Sequence, residues 1–508
     1  MTNNVMNIVN FVRGCEPRRH KDLYTPVVQE IAVNRENGLK STFLLQYDAM
    51  LRSDFQELFL REQGTDMELG LWLEMCRPLT EAVGIAWRGR PGFDWDWYVN
   101  PGFLLAYTPK QREKLIDEAF AKFYKIFGYY PHVAGSWLLD AHSVAYMSEK
   151  YHLEAMCICR EQYAVDAYTL WGGYYSGGYY PSRWNMLCPA QTEQMQINTP
   201  VFRMLGIDPI YGYDEGKHSP KISGCYTMEP CWPCGKDREV MEWYFHSYYG
   251  TPSLAMSQAT TGQENSFGWE RFEDGYRLQI EIIKHYAESG QLRVETLGQT
   301  GAAFRKQFKE TPATALSALD DWSGNNLQSV WFSSVYYRAN LFHEGNRLYF
   351  RDMQYFDEKV REDFLETPCR EWKAAYGNLP LVDNRFWSDE NQEAGLFFEE
   401  RVDSIEKLTE NAEDALRVYI RFADGHDGTV TLDTASITFQ DCGELLWNFG
   451  TSNVLQSVDQ NEVVCAARGQ YYRIRIQGDI RRRDCSMSIK PENKMIRFVF
   501  APGEGRMQ

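Results

Sequence analysis

Carboxylates recur in this sequence at the ends of short apolar runs, the position from which a side chain reaches a bound substrate. In VAGSWLLDAHSVAYM, residues 133–147, the run containing Trp137, Leu138 and Leu139 reads as a buried strand that stops at Asp140 and His142. Carboxyl ends of strands in α/β sheets and barrels open onto the ligand crevice, so Asp140 is placed to act on a substrate. Asp is also a favoured helix N-cap, and HSVAYMSEKY reads as a helix, so capping is its competing role. LAMSQATTGQENSFGWE, residues 254–270, is a second apolar run with a polar end, at Gln263, Glu264 and Asn265. The same pattern delivers Arg13 and Glu16 after NIVNFV, Asp48 after STFLL, Glu74 after ELGLWL, and Arg160 and Glu161 after AMCIC, with Asp166 a few residues on. Asp208, Asp214 and Glu229 are further polar candidates. Any one of the strand-tip carboxylates could instead close a salt bridge with Arg13, Arg18, Arg77 or Arg160.

Strands that alternate with helical stretches argue for βα units and a parallel sheet or barrel. The sharpest helix signal is at Thr108: Thr108 and Gln111 have capping-box spacing, Pro109 suits the first helical position, and Gly128 closes the run. RGRPGFDWDWYVNPGFLLAY, between Trp87 and Tyr107, reads as a long loop over the active face. YTLWGGYYSGGYY, residues 168–180 and containing Trp171, offers rings that stack on sugar faces or bury themselves as an ordinary irregular loop. The last strand and helix of this region are LRVETLGQTGAAFRKQF, and its boundary falls at residue 312. From 313 to 508 the sequence changes character: LRVYIRF, TVTLDTASITF, YYRIRIQ and MIRFVF alternate between turn residues and predict an antiparallel β-sandwich with a structural or cleft-shaping role.

Length and composition narrow the classes. The chain has 508 residues, 44% hydrophobic and 15% aromatic, enough for two or three packed domains. Lys plus Arg number 53 against 70 Asp plus Glu, a formal charge of −17, so a phosphate backbone or anionic membrane is repelled on average. No apolar run approaches the roughly 20 residues that span a bilayer, and the N-terminus lacks a secretory h-region, so a cytoplasmic protein is expected. The 12 cysteines include several in apolar strands, the behaviour of reduced thiols. Cys231 and Cys234 have CxxC spacing, but no second pair follows to complete a zinc or redox site. The 9 histidines are scattered singly, which argues against a histidine-based metal centre.

The order of these motifs resembles the (β/α)7-barrel superfamily of glycoside hydrolase family 57, the α-mannosidases of family 38 and the polysaccharide deacetylases, over roughly residues 6–310. The resemblance implies a (β/α)7-type barrel followed by a β-sandwich. Arg13-Gly14-Cys15-Glu16-Pro17 stands where family 57 has His-x-His-Gln-Pro, and keeps only the proline. GSWLLD puts Asp140 where that family has its nucleophile, and Gln263-Glu264-Asn265-Ser266-Phe267-Gly268 keeps the Phe-Gly of its acid motif. The resemblance therefore implies a metal-free, cofactor-free glycosidase or transglycosidase acting on an oligosaccharide or small glycoside. Asp140 is then the nucleophile and Glu264 the acid/base, with Arg13, Glu16, Asp48, Glu74, His142, Arg160, Glu161, Asp166, Trp171 and Gln263 binding the sugar. The alternatives are a metal-dependent carbohydrate deacetylase, for which no His-x-x-x-His pair is found, and a non-catalytic sugar-binding barrel. Carbohydrate is the expected partner, nucleic acid and membrane are not, and a homo-oligomer is allowed.

Overall fold

Short, mostly buried runs are what a parallel sheet covered on both faces requires, and seven strands of this kind, largely apolar in the first five and more polar in the last two, build the first half of the molecule. The computed structural model describes residues 3–15, 22–159, 173–213, 227–374, 379–410, 414–483 and 485–501. Its seven parallel strands are Asn4–Val12, Ser41–Leu45, Met67–Trp72, Val133–Ser136, Ala155–Ile158, Val201–Arg203 and Ser257–Thr261. The first six pair in chain order, each with the next, and the seventh pairs with the first. Between the sixth and seventh, the Gly206 amide donates to the Thr260 carbonyl at 3.0 Å and Thr260 Oγ1 to the Arg203 carbonyl at 3.3 Å. The ring is thus nearly closed, with a two-residue antiparallel piece, Gly178–Tyr179, added to the sixth strand.

The helix read from the capping box spans Pro109–Phe127, capped by Thr108 and ended by Gly128 at φ 83°. The strand read through Trp137–Leu139 does not extend that far. Its ladder ends at Ser136, and the three apolar residues after it are buried without being strand. An apolar run reports burial; it does not by itself report strand.

The N-terminal mouth of the barrel is sealed by the last pieces of the region. Strand Arg293–Glu295 pairs with Val5–Asn7, and helix Leu297–Gln307 follows. The Leu297 and Gly298 amides donate to Thr42 Oγ1 and Glu68 Oε2, both at 2.9 Å, near the starts of the second and third strands. Gly301 lies so close to Glu154 and Ala155 that a Cβ there would stand 2.2 Å from the Glu154 carbonyl.

Beyond Thr314 two antiparallel sheets, of nine and eight strands, face each other. Leu416–Phe422 alternates buried with less buried residues as half-buried strands do, and Phe350 meets Phe439 and Trp447 meets Phe498 across the sheets. The sandwich is not a separate body: Leu365, Cys369 and Ala374 belong to the barrel's hydrophobic core. Their segment is tied down by backbone bonds from Glu362 N to the Trp184 carbonyl (2.8 Å), from Cys369 N to that of Leu105 (2.9 Å) and from Val99 N to that of Trp372 (2.9 Å). Among the described residues no helix is long and apolar enough to cross a membrane, and the cysteines are free thiols.

Candidate active site

Alternate residues of a barrel strand point inward. In the first strand and its extension these include Phe11 and Arg13; in the third, Trp72 and Glu74. Phe11 stacks on Trp72 at 4.3 Å, and Trp137 packs edge-on against both, at 5.1 and 5.4 Å. These three rings form a floor, and the residues two further along each strand stand above it at the carboxyl end.

There Arg13 lies between two glutamates. Its Nη2 is 2.9 Å from Glu74 Oε2, its Nε donates to the same carboxylate at 3.1 Å, and its Nη1 is 3.0 Å from Glu264 Oε2. Glu264 arrives by extending the seventh strand alongside Phe11, and Ser266 Oγ donates to its other oxygen at 2.6 Å. Asn265 fixes the backbone of Arg13 from both sides: its amide oxygen accepts from Arg13 N and its nitrogen donates to Arg13 O, each at 3.0 Å. The Trp95 ring covers the guanidinium at 4.2 Å. Arg13, Glu74 and Glu264 are 1–2% exposed, so their charges act on one another with little screening.

One cation cannot neutralise two buried carboxylates, and the surplus appears as a raised acidity constant. Burial first, and then the neighbouring Glu264, push the Glu74 carboxyl up to about 7, against the opposing pull of Arg13 and the Trp72 indole. Near neutrality Glu74 is therefore a carboxyl able to give a proton, held beside a second carboxyl group on the same guanidinium.

The other expected site residues fall elsewhere. Asp140 is the N-cap of helix Ala141–Tyr151: Oδ1 accepts from Ser143 N at 2.9 Å and from Arg112 Nη1 at 2.7 Å, and Oδ2 accepts from Ser143 Oγ at 2.7 Å. Glu362, from the sandwich segment, caps the same helix end, accepting from Ala141 N at 2.7 Å and from Met186 N at 3.0 Å; burial and the nearby Asp140 raise its acidity constant. Glu264 shares Arg13 with Glu74, whereas the Asp140 carboxylate is taken up by Ser143 and Arg112. His142 lies on the partly exposed side of its helix, 3.1 Å from Glu113 of the helix beside it. Gln263 is tied into the barrel on three sides. Its backbone N–H is held by Asn10 Oδ1, its Oε1 accepts from Cys231 N, and its Nε2 donates to Glu229 Oε1 at 2.8 Å. Asp48 gathers the amides of Gly14, Cys15 and Ala49 at 2.8–3.0 Å and shapes the turn after the first strand. Glu16, Arg160, Glu161, Asp166 and Trp171, with Asp214, lie outside the described residues. Sequence reading put Trp95 in a loop over the active face and Asn265 at a polar strand end without a role for either, and it missed Arg112 and Glu362. Nothing local marks Glu362, whose partners lie 176 and 221 residues away.

The fold and the cluster define a (β/α)7-type barrel with an acidic, arginine-centred mouth and a C-terminal β-sandwich, the architecture of the superfamily that the sequence resembles. Residues 93–311 match a family described as a domain of unknown function with a solved structure (DUF3863). A candidate glycoside hydrolase/deacetylase of Parabacteroides distasonis is similar over 75% of this chain and 92% of its own, with TM-score 0.54 and 16% identity, a likeness of fold. A candidate polysaccharide deacetylase of Mycobacterium smegmatis matches 61% of this chain and 93% of its own at TM-score 0.38 and 12% identity. The 4-α-glucanotransferase of Thermococcus litoralis matches 98% and 97% at TM-score 0.32 and 9% identity. No curated protein sequence matches the chain.

Proposed function

We propose that this protein is a carbohydrate-acting hydrolase or transglycosidase whose two working carboxyl groups are Glu74 and Glu264. The observation that carries the reading is the single Arg13 guanidinium in contact with both, with Glu74 left as the group that holds a proton near neutrality. Cleavage of a glycosidic bond needs those two states side by side. Glu74 gives its proton to the leaving oxygen as the bond to the anomeric carbon breaks, and the Glu264 carboxylate attacks that carbon. Water then displaces Glu264 and returns a proton to Glu74. Arg13 binds Glu264 throughout, and its charge opposes the approach of a second cation, so the reading assigns no step to a metal. The likeness in fold to a chain described as a glycoside hydrolase/deacetylase supports carbohydrate as the substrate class.

Arg13 and its partners argue against the deacetylase alternative, because the guanidinium occupies the place between the carboxylates where a divalent ion would have to sit. Asp140 is left a structural role, as cap and as partner of Arg112. The test is turnover of a panel of aryl glycosides and oligosaccharides by the parent, Glu74→Gln and Glu264→Gln proteins. Expected is hydrolysis by the parent with losses of about 10²-fold or more in each variant, the scale of acid–base catalysis. A parent inert across the panel, or variants as active as the parent, overturns the proposal. Two carboxyls bridged by one arginine suit the retaining geometry of roughly 5–5.5 Å, so the first product released should keep the substrate's anomeric configuration, as read by proton NMR.

A further inference from the structure

We infer that the site takes a sugar chain end-on, with the terminal unit held by Gln46 and Trp95 beside Arg13 and the following units laid over Trp97, Tyr98 and Trp372 on the way to the surface. The inference rests on the carbohydrate reading above and adds to it the length of the substrate and the end from which it is attacked.

Gln46 follows the second barrel strand directly, and its amide continues the ladder by donating to the Val12 carbonyl at 3.0 Å. Two residues back, Leu44 faces inward, since a Cβ on Gly135 would touch it together with Trp72 and Cys157. Alternation therefore aims Gln46 into the mouth, next to Arg13. Its side chain is fully buried, yet neither Oε1 nor Nε2 has a hydrogen-bond partner. Buried amides are normally paired, and one at the carboxyl end of a barrel strand with both ends free suits a ligand that accepts and donates at neighbouring atoms. Adjacent hydroxyls of a sugar ring do both. The Trp95 indole N–H, 2% exposed and also without a partner, supplies a second donor beside Arg13, whose guanidinium its ring covers.

A separate observation gives the direction in which the chain leaves. Trp95, Trp97, Tyr98 and Trp372 form an unbroken run of rings with centroids 6.4, 6.1 and 5.9 Å apart, each meeting the next edge-on at 76°, 71° and 88°, so that successive rings turn different faces to a ligand. Exposure rises along it, from 2% at Trp95, through the half-buried Trp97 and Tyr98, to 50% at Trp372. Rings that serve only a core are buried throughout. The Trp372 backbone is tied to the barrel region, its carbonyl accepting from Val99 N at 2.9 Å, although it belongs to the sandwich segment. Tryptophan and tyrosine give the C–H faces of sugars a flat apolar surface while their polar atoms remain available to hydroxyls. A chain seated this way has its end at Arg13, Glu74 and Glu264, and is cut from that end.

The test is binding to the full-length Glu264→Gln protein, by calorimetry, of gluco-, manno-, galacto- and xylo-oligosaccharides of one to six units. For at least one series, affinity should rise 10-fold or more between one and four units. Trp372→Ala on the same background should remove that rise while leaving single-unit affinity unchanged, and Gln46→Ala should weaken every length by a similar factor. Unfolding midpoints equal to the background's confirm that the substitutions at Trp372 and Gln46 left the fold intact. Affinity independent of length, a Trp372→Ala protein that keeps the rise, or a panel in which nothing binds overturns the inference. The two readings separate cleanly: length-dependent binding without hydrolysis by the parent leaves this inference standing and removes the hydrolase, whereas hydrolysis of aryl monoglycosides without length dependence does the reverse.

Discussion

At the mouth of the barrel, one guanidinium holds two buried carboxylates, and the proton on Glu74 closes the charge balance. With its acidity constant raised from the ordinary carboxylate value to about 7, Glu74 is an acid below that pH and loses its proton above it. Activity should accordingly fall as pH rises through about 7, and a pH–rate profile of kcat/KM checks this directly. The same shift acts on stability. The folded state holds this proton more tightly than the unfolded chain, so the contribution is full below the ordinary carboxylate range and is lost as pH rises to about 7. Glu74→Gln should abolish the first dependence and lessen the second, to which the buried Asp208, Asp383 and Glu362 also contribute, and denaturant midpoints of parent and variant at pH 5 and pH 8 check this. Of these residues the sequence revealed the types and the strand tips, because a charge straight after an apolar run is a local signal. It did not reveal which tips meet, since Arg13, Glu74 and Glu264 are brought together only by closure of the ring.

The helix of residues 109–127 was legible in full, because its signals lie within three residues of each end: Thr108, Pro109 and Gln111 at the start, Gly128 at the close. The element after the fourth strand was legible only in part. Its helix was expected, but Asp140 stood between two roles that the sequence could not separate, as both need a carboxylate at that point. Arg112 separates them. It is fully buried and donates its other N–H groups to the carbonyls of Tyr107 and Leu105, so Asp140 is the carboxylate that balances its charge. Asp140→Asn should leave Arg112 buried without a counter-charge and cost about 3–5 kcal/mol of stability. The folded fraction should keep its turnover, whereas an Asp140 nucleophile would lose turnover with little change in denaturation midpoint.

On the scale of the molecule, the sandwich was legible from strict alternation in strands such as Leu416–Phe422, but its grip on the barrel was not, since the gripping residues are distant in sequence. Leu365, Cys369 and Ala374 complete the barrel core, and Glu362 caps a barrel helix. A chain cut at residue 312 should therefore fail to unfold cooperatively, and Glu362→Ala in the full chain should cost about 1–3 kcal/mol for the amides it strands, measurable by urea titration. The sealed lower mouth has a bearing on biosynthesis. Asn7 Nδ2 donates to the Glu295 carbonyl across 288 residues, and the strand beside it shares its edge with residues 293–295. At about 5–20 residues per second, a ribosome needs roughly 15–60 s to reach that closing strand after making the first. During this interval the opening strand has no completed edge, and proteases or other nascent chains can reach it. Nascent chains stalled short of residue 293 should be degraded readily by added protease, and those released at full length should resist it.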